Sequence, residues 1–322
     1  MKITKFLPYI LLFSLLLISC QDTSGDKLLL RTYSPNLLKS LFGGAGSKII
    51  MADGTEGPSY RMPKKIGIDP TWSPDGQWIV THFGGDRAGS HSDLFLINVL
   101  DDTRIQLTDD TTGQAYPVWA PDGQKIAYEQ YHQDSIYTMD VGCLLYGQEC
   151  NIEPLFLSEG RSPAWSPDGH YIAFDRPEGC EYSCDDPCEL ICKGGVYIID
   201  SVGTSLPDRI SPENLYCVSP QWSPDGERIV ASCDEGLIIF YLDGREPTNL
   251  GIQGGHATWS PDGASIYYLS SDTDDLGEML GWESCWSNAL FKINIEEKEP
   301  ERLTHDKREC IRWYRWLPQG SS

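Results

Sequence analysis

Four evenly spaced cysteines, Cys180-x3-Cys184-x3-Cys188-x3-Cys192, form the densest set of chemically capable side chains in the sequence. Four sulfurs suit tetrahedral zinc or an iron–sulfur cluster. Their spacing differs from the paired two-residue spacing of zinc sites. Pro187 inside the run, with Gly179, Gly194 and Gly195 at its edges, argues against a single helix carrying all four. In an oxidising compartment the same residues would form two disulfides stapling a long loop. We take that reading, with no metal or other cofactor expected, and a metal site as the alternative.

Setting Cys20 aside, six further cysteines fall outside this cluster. Cys217 and Cys233 flank a hairpin almost symmetrically about Pro224-Asp225, which would place them face to face across two strands. Cys143 and Cys150 would close a small loop, and Cys285 and Cys310 lie near the last repeat boundary. Each bridge would contribute roughly 2–4 kcal/mol. Catalytic signatures are sparse: there is no Gly-x-Ser-x-Gly elbow, phosphate-binding glycine loop or His-Glu-x-x-His helix. Asp272-x-Asp274-Asp275 lacks the spaced ligand series of a calcium loop. The six histidines (His82, His91, His132, His170, His256 and His305) are scattered. No enzyme is expected.

The elements that must position these residues are announced by a repeat. Trp-Ser-Pro-Asp-Gly occurs at Trp72–Gly76, Trp165–Gly169, Trp222–Gly226 and Trp259–Gly263, with variants at Trp119–Gly123 and Trp316–Gly320. Ser-Pro-Asp-Gly carries the preferences of a type I turn followed by a left-handed glycine, so each copy predicts a bulged hairpin loop. An apolar run follows each turn, as in Ile126-Ala127-Tyr128, and further strands recur downstream, as in Val196–Asp200 and Arg104–Thr108. Four antiparallel strands per unit describe a propeller blade. Five units are complete. Leu28–Tyr33, Lys48–Asp53 and Tyr60–Met62 supply second, third and fourth strands for a last blade whose first strand precedes Trp316. The expectation is an all-β, six-bladed β-propeller of four-stranded antiparallel blades over residues 27–322, the last blade closed by both chain termini.

These repeats resemble those of TolB-type propellers, and the resemblance covers nearly all of residues 27–320. It implies the fold, and a binding role is one of several functions such blades serve. Related blades also form the propeller halves of prolyl-oligopeptidase-like peptidases. The chain departs from TolB in leaving no room between Cys20 and Leu28 for a separate α/β domain.

The N-terminus carries Lys2 and Lys5, then an apolar stretch from Phe6 to Ile18, too short to span a membrane. It ends Leu17-Ile18-Ser19-Cys20, which resembles the bacterial lipobox. The resemblance implies a signal peptide over 1–19, lipidation of Cys20, a tether over 20–26, and a membrane held through acyl groups. The alternative is a plain secretory signal with Cys20 in a disulfide. The net charge of -22 argues against nucleic acid as partner and against adhesion to anionic lipid headgroups.

Insertions between the second and third strands recur at 34–47, 82–92, 180–192 and 270–288. Connections of one type emerge on one face of a propeller, so these would form a crown. Long loops on a rigid scaffold usually carry recognition. The crown's aromatic and charged residues are Phe83, Asp86, Arg87, His91, Tyr182, Asp185, Asp186, Trp282 and Trp286. The expected function is a lipid-anchored cell-envelope module binding an unidentified protein or peptide, periplasmic or extracellular. A carbohydrate-binding or carbohydrate-active propeller is the alternative, motivated by ten Trp and sixteen Tyr; the repeats already use six of the Trp.

Overall fold

The computed structural model describes residues 27–33, 45–51, 68–84, 92–148, 152–183, 189–271, 288–304 and 310–316. Strands β1 (Lys27–Tyr33) and β2 (Ala45–Met51) pair antiparallel. The first four-stranded blade follows: β3 (Ile68–Trp72), β4 (Trp78–Gly84), β5 (Ser92–Asn98) and β6 (Arg104–Gln106). The second is β7 (Gln114–Trp119), β8 (Lys125–Gln130), β9 (Ser135–Asp140) and β10 (Leu155–Glu159); the third is β11 (Arg161–Trp165), β12 (Tyr171–Ser183), β13 (Glu189–Asp200) and β14 (Asp208–Arg209). The fourth is β15 (Cys217–Trp222), β16 (Arg228–Cys233), β17 (Gly236–Tyr241) and β18 (Thr248–Asn249). The fifth is β19 (Gly255–Trp259), β20 (Ser265–Ser271), β21 (Asn288–Asn294) and β22 (Pro300–Arg302). Finally β23 (Cys310–Trp316) returns to pair with β1.

The expected count of six four-stranded blades is corrected by this topology. Among the described residues five such blades are present, and the sheet joining the two chain ends has three strands, in the order β2-β1-β23. The residues expected to supply its fourth strand, Tyr60–Met62, lie outside the described residues. Tyr60-Arg61-Met62 is only a three-residue run between Gly57-Pro58-Ser59 and Pro63, a far weaker strand determinant than the segments anchored by a repeat tryptophan.

Each of the five repeat strings within the described residues makes the turn its composition dictates. In the first blade Gly76 N–H donates to the Ser73 carbonyl at 2.9 Å, Trp78 N–H to the Ser73 hydroxyl at 2.9 Å, and Gln77 N–H to Asp75 at 3.0 Å. The closing glycines Gly76, Gly123, Gly169, Gly226 and Gly263 all sit at φ of 68–74°, a region open to glycine at little cost.

The repeat tryptophans tie the blades together. The indole N–H of Trp119, Trp222 and Trp259 donates to the backbone carbonyl of Thr71, Ala164 and Gln221, each on the first strand of the preceding blade, at 3.1, 3.1 and 3.0 Å. Apolar cores lie between adjacent blades rather than within one. Trp78, Val80, Leu94 and Leu96 of the first pack on Trp119, Ile126 and Tyr128 of the second. Ala127 and Ile136 of the second meet Ile172, Phe174 and Ile199 of the third.

The insertion carrying the four-cysteine cluster is a β-arm, not an irregular loop. β12 and β13 continue past the blade, with Cys180 opposite Cys192 and Tyr182 opposite Leu190 in the antiparallel register. Cys217 and Cys233 are likewise opposite and disulfide-bonded. Cys143, on the one-turn helix Gly142–Leu145, is also disulfide-bonded. Cys20, Cys150, Cys184, Cys188 and Cys285 lie outside the described residues, and Cys310 begins β23. Among the described residues no helix is long and apolar enough to cross a membrane.

Candidate functional site

The first strand of every four-stranded blade carries one residue in the left-handed region, three positions before the repeat tryptophan. These are Asp69 (φ 47°), Tyr116 (49°), Ser162 (53°), Ser219 (54°) and His256 (52°), each at a register shift against the second strand. None is glycine, so the backbone is held there at some cost. All five line a cavity of about 420 Å³ along the propeller channel.

The second strands answer this ring. Ten residues after each repeat tryptophan stand His82, Glu129, Asp175, Ser232 and Leu269. Glu129 Oε2 accepts the Ser162 N–H at 3.1 Å, and Asp175 Oδ1 accepts the Ser219 N–H at 2.9 Å. Each carboxylate thus holds the bulged backbone of the next blade. Arg161 clamps Asp134 through two bonds, Nε–Oδ1 at 2.7 Å and Nη2–Oδ2 at 2.6 Å.

These groups meet in a cavity of about 480 Å³ lined by Tyr116, Glu129, Tyr131, His132, Asp134, Arg161, Ser162, Asp175 and Val218. It opens on the face where second strands run into third strands, the expected crown face. It adjoins the channel cavity, with which it shares Tyr116 and Ser162.

Burial sets the electrostatics. Glu129, only 1% exposed, has its carboxyl pushed up to about 7 by desolvation, with the Asp175 and Asp134 charges adding to the shift and the Ser162 N–H and Arg161 opposing it. Asp175 is raised to about 6, again chiefly by desolvation, against the pull of the Ser219 N–H and the Ser162 hydroxyl. Tyr116 is raised to about 12 by desolvation and by the Asp69 and Glu129 charges. The Asp134 carboxylate holds Arg161 firmly protonated. Strongly perturbed acids gathered in one cavity mark a functional candidate.

The sign of the pH effect follows. Glu129 and Asp175 take up protons more readily folded than unfolded. Their stabilising contribution is therefore complete below about 4.5 and 3.8 and is lost as pH rises through about 7 and about 6. Glu129→Gln keeps an oxygen for the Ser162 N–H and removes the charge. We expect it to raise stability by about 2 kcal/mol at pH 8 and by little at pH 5. Thermal unfolding at the two pH values checks this; equal shifts at both would refute the assignment.

Sequence reasoning selected a different set. Phe83 packs edge-to-face on Phe95 at 5.2 Å beneath the Arg104 guanidinium at 5.3 Å, inside its own blade. Asp86, Arg87, His91, Asp185, Asp186, Trp282 and Trp286 lie outside the described residues, and Tyr182 is placed on the β-arm. Glu129, Asp175, Arg161 and Tyr116 were missed. Glu129 and Asp175 carried a signal, an ionisable residue closing an apolar run ten positions after the repeat tryptophan, as in Ile172-Ala173-Phe174-Asp175, whereas Arg161 and Tyr116, on first strands before the tryptophan, carried none of that kind.

No established family profile matches this sequence. It is 30% identical over 99 residues to the uncharacterized peptidase YuxL of Bacillus subtilis (strain 168), a match that spans 27% of this chain and 15% of that protein. Among solved structures, TolB from Acinetobacter baumannii superposes with a TM-score of 0.62 at 15% identity, covering 91% of this chain and 67% of that one. A structure assigned as TolB from Agrobacterium tumefaciens gives 0.53 at 14% identity, covering 91% and 98%. The chain has the fold of TolB-type propellers.

Proposed function

We propose that this TolB-type propeller is a lipid-anchored, non-catalytic recognition module of the cell envelope, receiving a protein or peptide at its crown-side channel mouth. The observation that carries the reading is the cavity of about 480 Å³ in which Glu129, Asp134, Arg161 and Asp175 converge beneath the exposed Tyr116 and Tyr131. Aromatic rims over fixed polar groups suit protein recognition. Both buried carboxylates already hold backbone N–H groups, which makes them parts of a rigid binding surface.

The chain ends give the proposal an orientation. Leu28 pairs with Trp316, so β1 starts at the Ser-Pro-Asp-Gly end of the propeller, opposite the crown. With Cys20 lipidated, residues 20–26 would reach about 25 Å at most, turning the repeat turns toward the membrane and the crown away from it. Cys20→Ala is expected to move the protein from the membrane pellet to the soluble fraction; continued sedimentation of the variant would refute the anchor.

Site-specific photo-crosslinking in intact cells tests the recognition role. A probe replacing Tyr131, which is 60% exposed at the mouth, should give a discrete protein adduct, and one replacing Leu100, 82% exposed in a turn on the opposite face, should not. Equal labelling from both would sink the reading. The exposed Tyr116 and Tyr131 also suit stacking on a sugar ring, which keeps a carbohydrate-directed function as the second reading. Turnover of a glycan by the purified protein, abolished in Glu129→Gln, would favour it.

A further inference from the structure

The apolar core between the third and fourth blades stays open where it reaches the face of the repeat turns. A groove of about 730 Å³ lies there, between the turns at Pro167 and Gly226. Its floor includes Ile198, Ile210 and Trp222, three partly buried side chains packed against that core. Tyr171, Leu206 and Leu242 stand exposed around them. Leu206, 89% exposed, is the most exposed large apolar side chain among the described residues. An apolar patch of this kind with polar surroundings marks an interaction surface.

The junction of the first and second blades shows what fills the same place elsewhere. Val141 N–H donates to the Gln124 carbonyl at 2.8 Å and Leu242 N–H to the Glu227 carbonyl at 3.1 Å. Both acceptors follow a repeat glycine, so Val141 and Leu242 hold equivalent positions in their blades. Val141 is fully buried, and the one-turn helix after it packs Leu144 and Leu145 against the core of the first and second blades. Leu242 is 39% exposed, and a turn through Asp243 and Gly244 follows it instead of a helix. The later junction thus lacks the leucine pair that the earlier one draws from its own chain, and its apolar floor is left facing water.

Charge selects the occupant. Asp168, Asp200, Asp208 and Asp225 line the groove, and no lysine or arginine does. Asp225 is paired with Arg228 at 2.6 Å, a single cation against four carboxylates. The Ser166 hydroxyl holds the Asp168 carboxyl below the usual carboxylate range, and the Ser205 hydroxyl does the same for Asp200. Both therefore stay charged from weakly acid pH upward. An acidic segment would be repelled from this rim and a basic one drawn to it. An anionic lipid surface meets the same repulsion.

The geometry points to the groove between the third and fourth blades as a docking site for a partner peptide that presents paired leucine-like side chains flanked by lysine or arginine. The apolar pair would do at this junction what Leu144 and Leu145 do at the other, and the flanking cations would meet the Asp168 and Asp208 side of the rim. The site lies on the face opposite the crown, between blades that do not carry Leu100. It is a second binding surface and is independent of the crown-side reading.

The experiment is fluorescence anisotropy of the full chain with three labelled, end-blocked peptides built on Lys-Leu-Leu-Lys, Glu-Leu-Leu-Glu and Lys-Ser-Ser-Lys. The first should bind about tenfold more tightly than either of the others, and more weakly as salt is raised. Leu206→Ser with Leu242→Ser should remove that preference, and because both side chains are exposed, thermal unfolding should show the fold intact. Asp208→Asn, also at an exposed position, should weaken binding and flatten its salt dependence while leaving the leucine requirement in place. Equal binding of the three peptides, or a preference that survives the double leucine variant, would overturn the proposal. So would self-association of the protein that Leu206→Ser abolishes, which would make the occupant a second copy. Binding of the Cys20→Ala chain to zwitterionic vesicles, lost in Leu206→Ser, would overturn it in favour of a lipid surface. None of these results alters the crosslinking expected from Tyr131, so the two surfaces stand or fall separately.

Discussion

Trp259→Ala is expected to destabilise the protein by about 4 kcal/mol, a large share of the net stability that a folded domain usually has. Trp259 is 3% exposed and packs between two blades, against Val230, Leu237 and Ile239 on one side and Ile266, Tyr268 and Ile293 on the other. Its indole N–H donates to the Gln221 carbonyl at 3.0 Å. The Arg228 guanidinium lies 4.5 Å from its ring centroid and also bonds the Gly263 carbonyl. Truncation would open a cavity, leave a buried carbonyl unpaired and remove the face on which Arg228 rests. Trp259→Phe separates these effects, keeping most of the apolar contact and losing the hydrogen bond, and should cost about 1–2 kcal/mol. Urea denaturation of the two variants is the measurement. Equal losses would mean that the hydrogen bond, not the burial, ties these blades together.

Removing the Cys217–Cys233 disulfide should cost about 3 kcal/mol. The bridge spans a sequence separation of 16 and directly opposes two strands. Closing a loop of about that length in the unfolded chain is worth about 3 kcal/mol. Both sulfurs are buried, with Cys217 fully so, in the core where the third and fourth blades meet. The double variant Cys217→Ala/Cys233→Ala therefore loses a constraint on the unfolded state and some packing in the folded one. Its urea midpoint should fall and its crown-side binding should persist, because β15 keeps its register through the Val218–Ser232 and Gln221–Val230 pairs. An unchanged midpoint would show that the bridge relieves nothing in the unfolded chain.

The blade architecture was legible because it is local. Trp, then Ser-Pro-Asp-Gly, then an apolar run sets a turn, two strands and their register within about a dozen residues, and the five turns among the described residues form as their composition predicts. The opposition of Cys217 and Cys233 was legible for the same reason, since a hairpin centred on Pro224-Asp225 fixes which residues face each other. Counting strands where no repeat tryptophan anchors them was less secure, and among the described residues the sheet made by the two chain ends has three strands where four were expected.

The sequence by itself determined a ring of hairpin-built blades and a strongly acidic composition. Tertiary structure alone decided where its chemistry converges. Tyr116, Glu129, Arg161 and Asp175 come from the first and second strands of two blades, and their meeting depends on how the second and third blades stand beside each other around the channel. Nothing in local spacing records that neighbourhood. Nor does composition predict that Glu129 titrates near 7 and Asp175 near 6, because those shifts arise from burial and from facing charges, which exist only once the blades have closed around them.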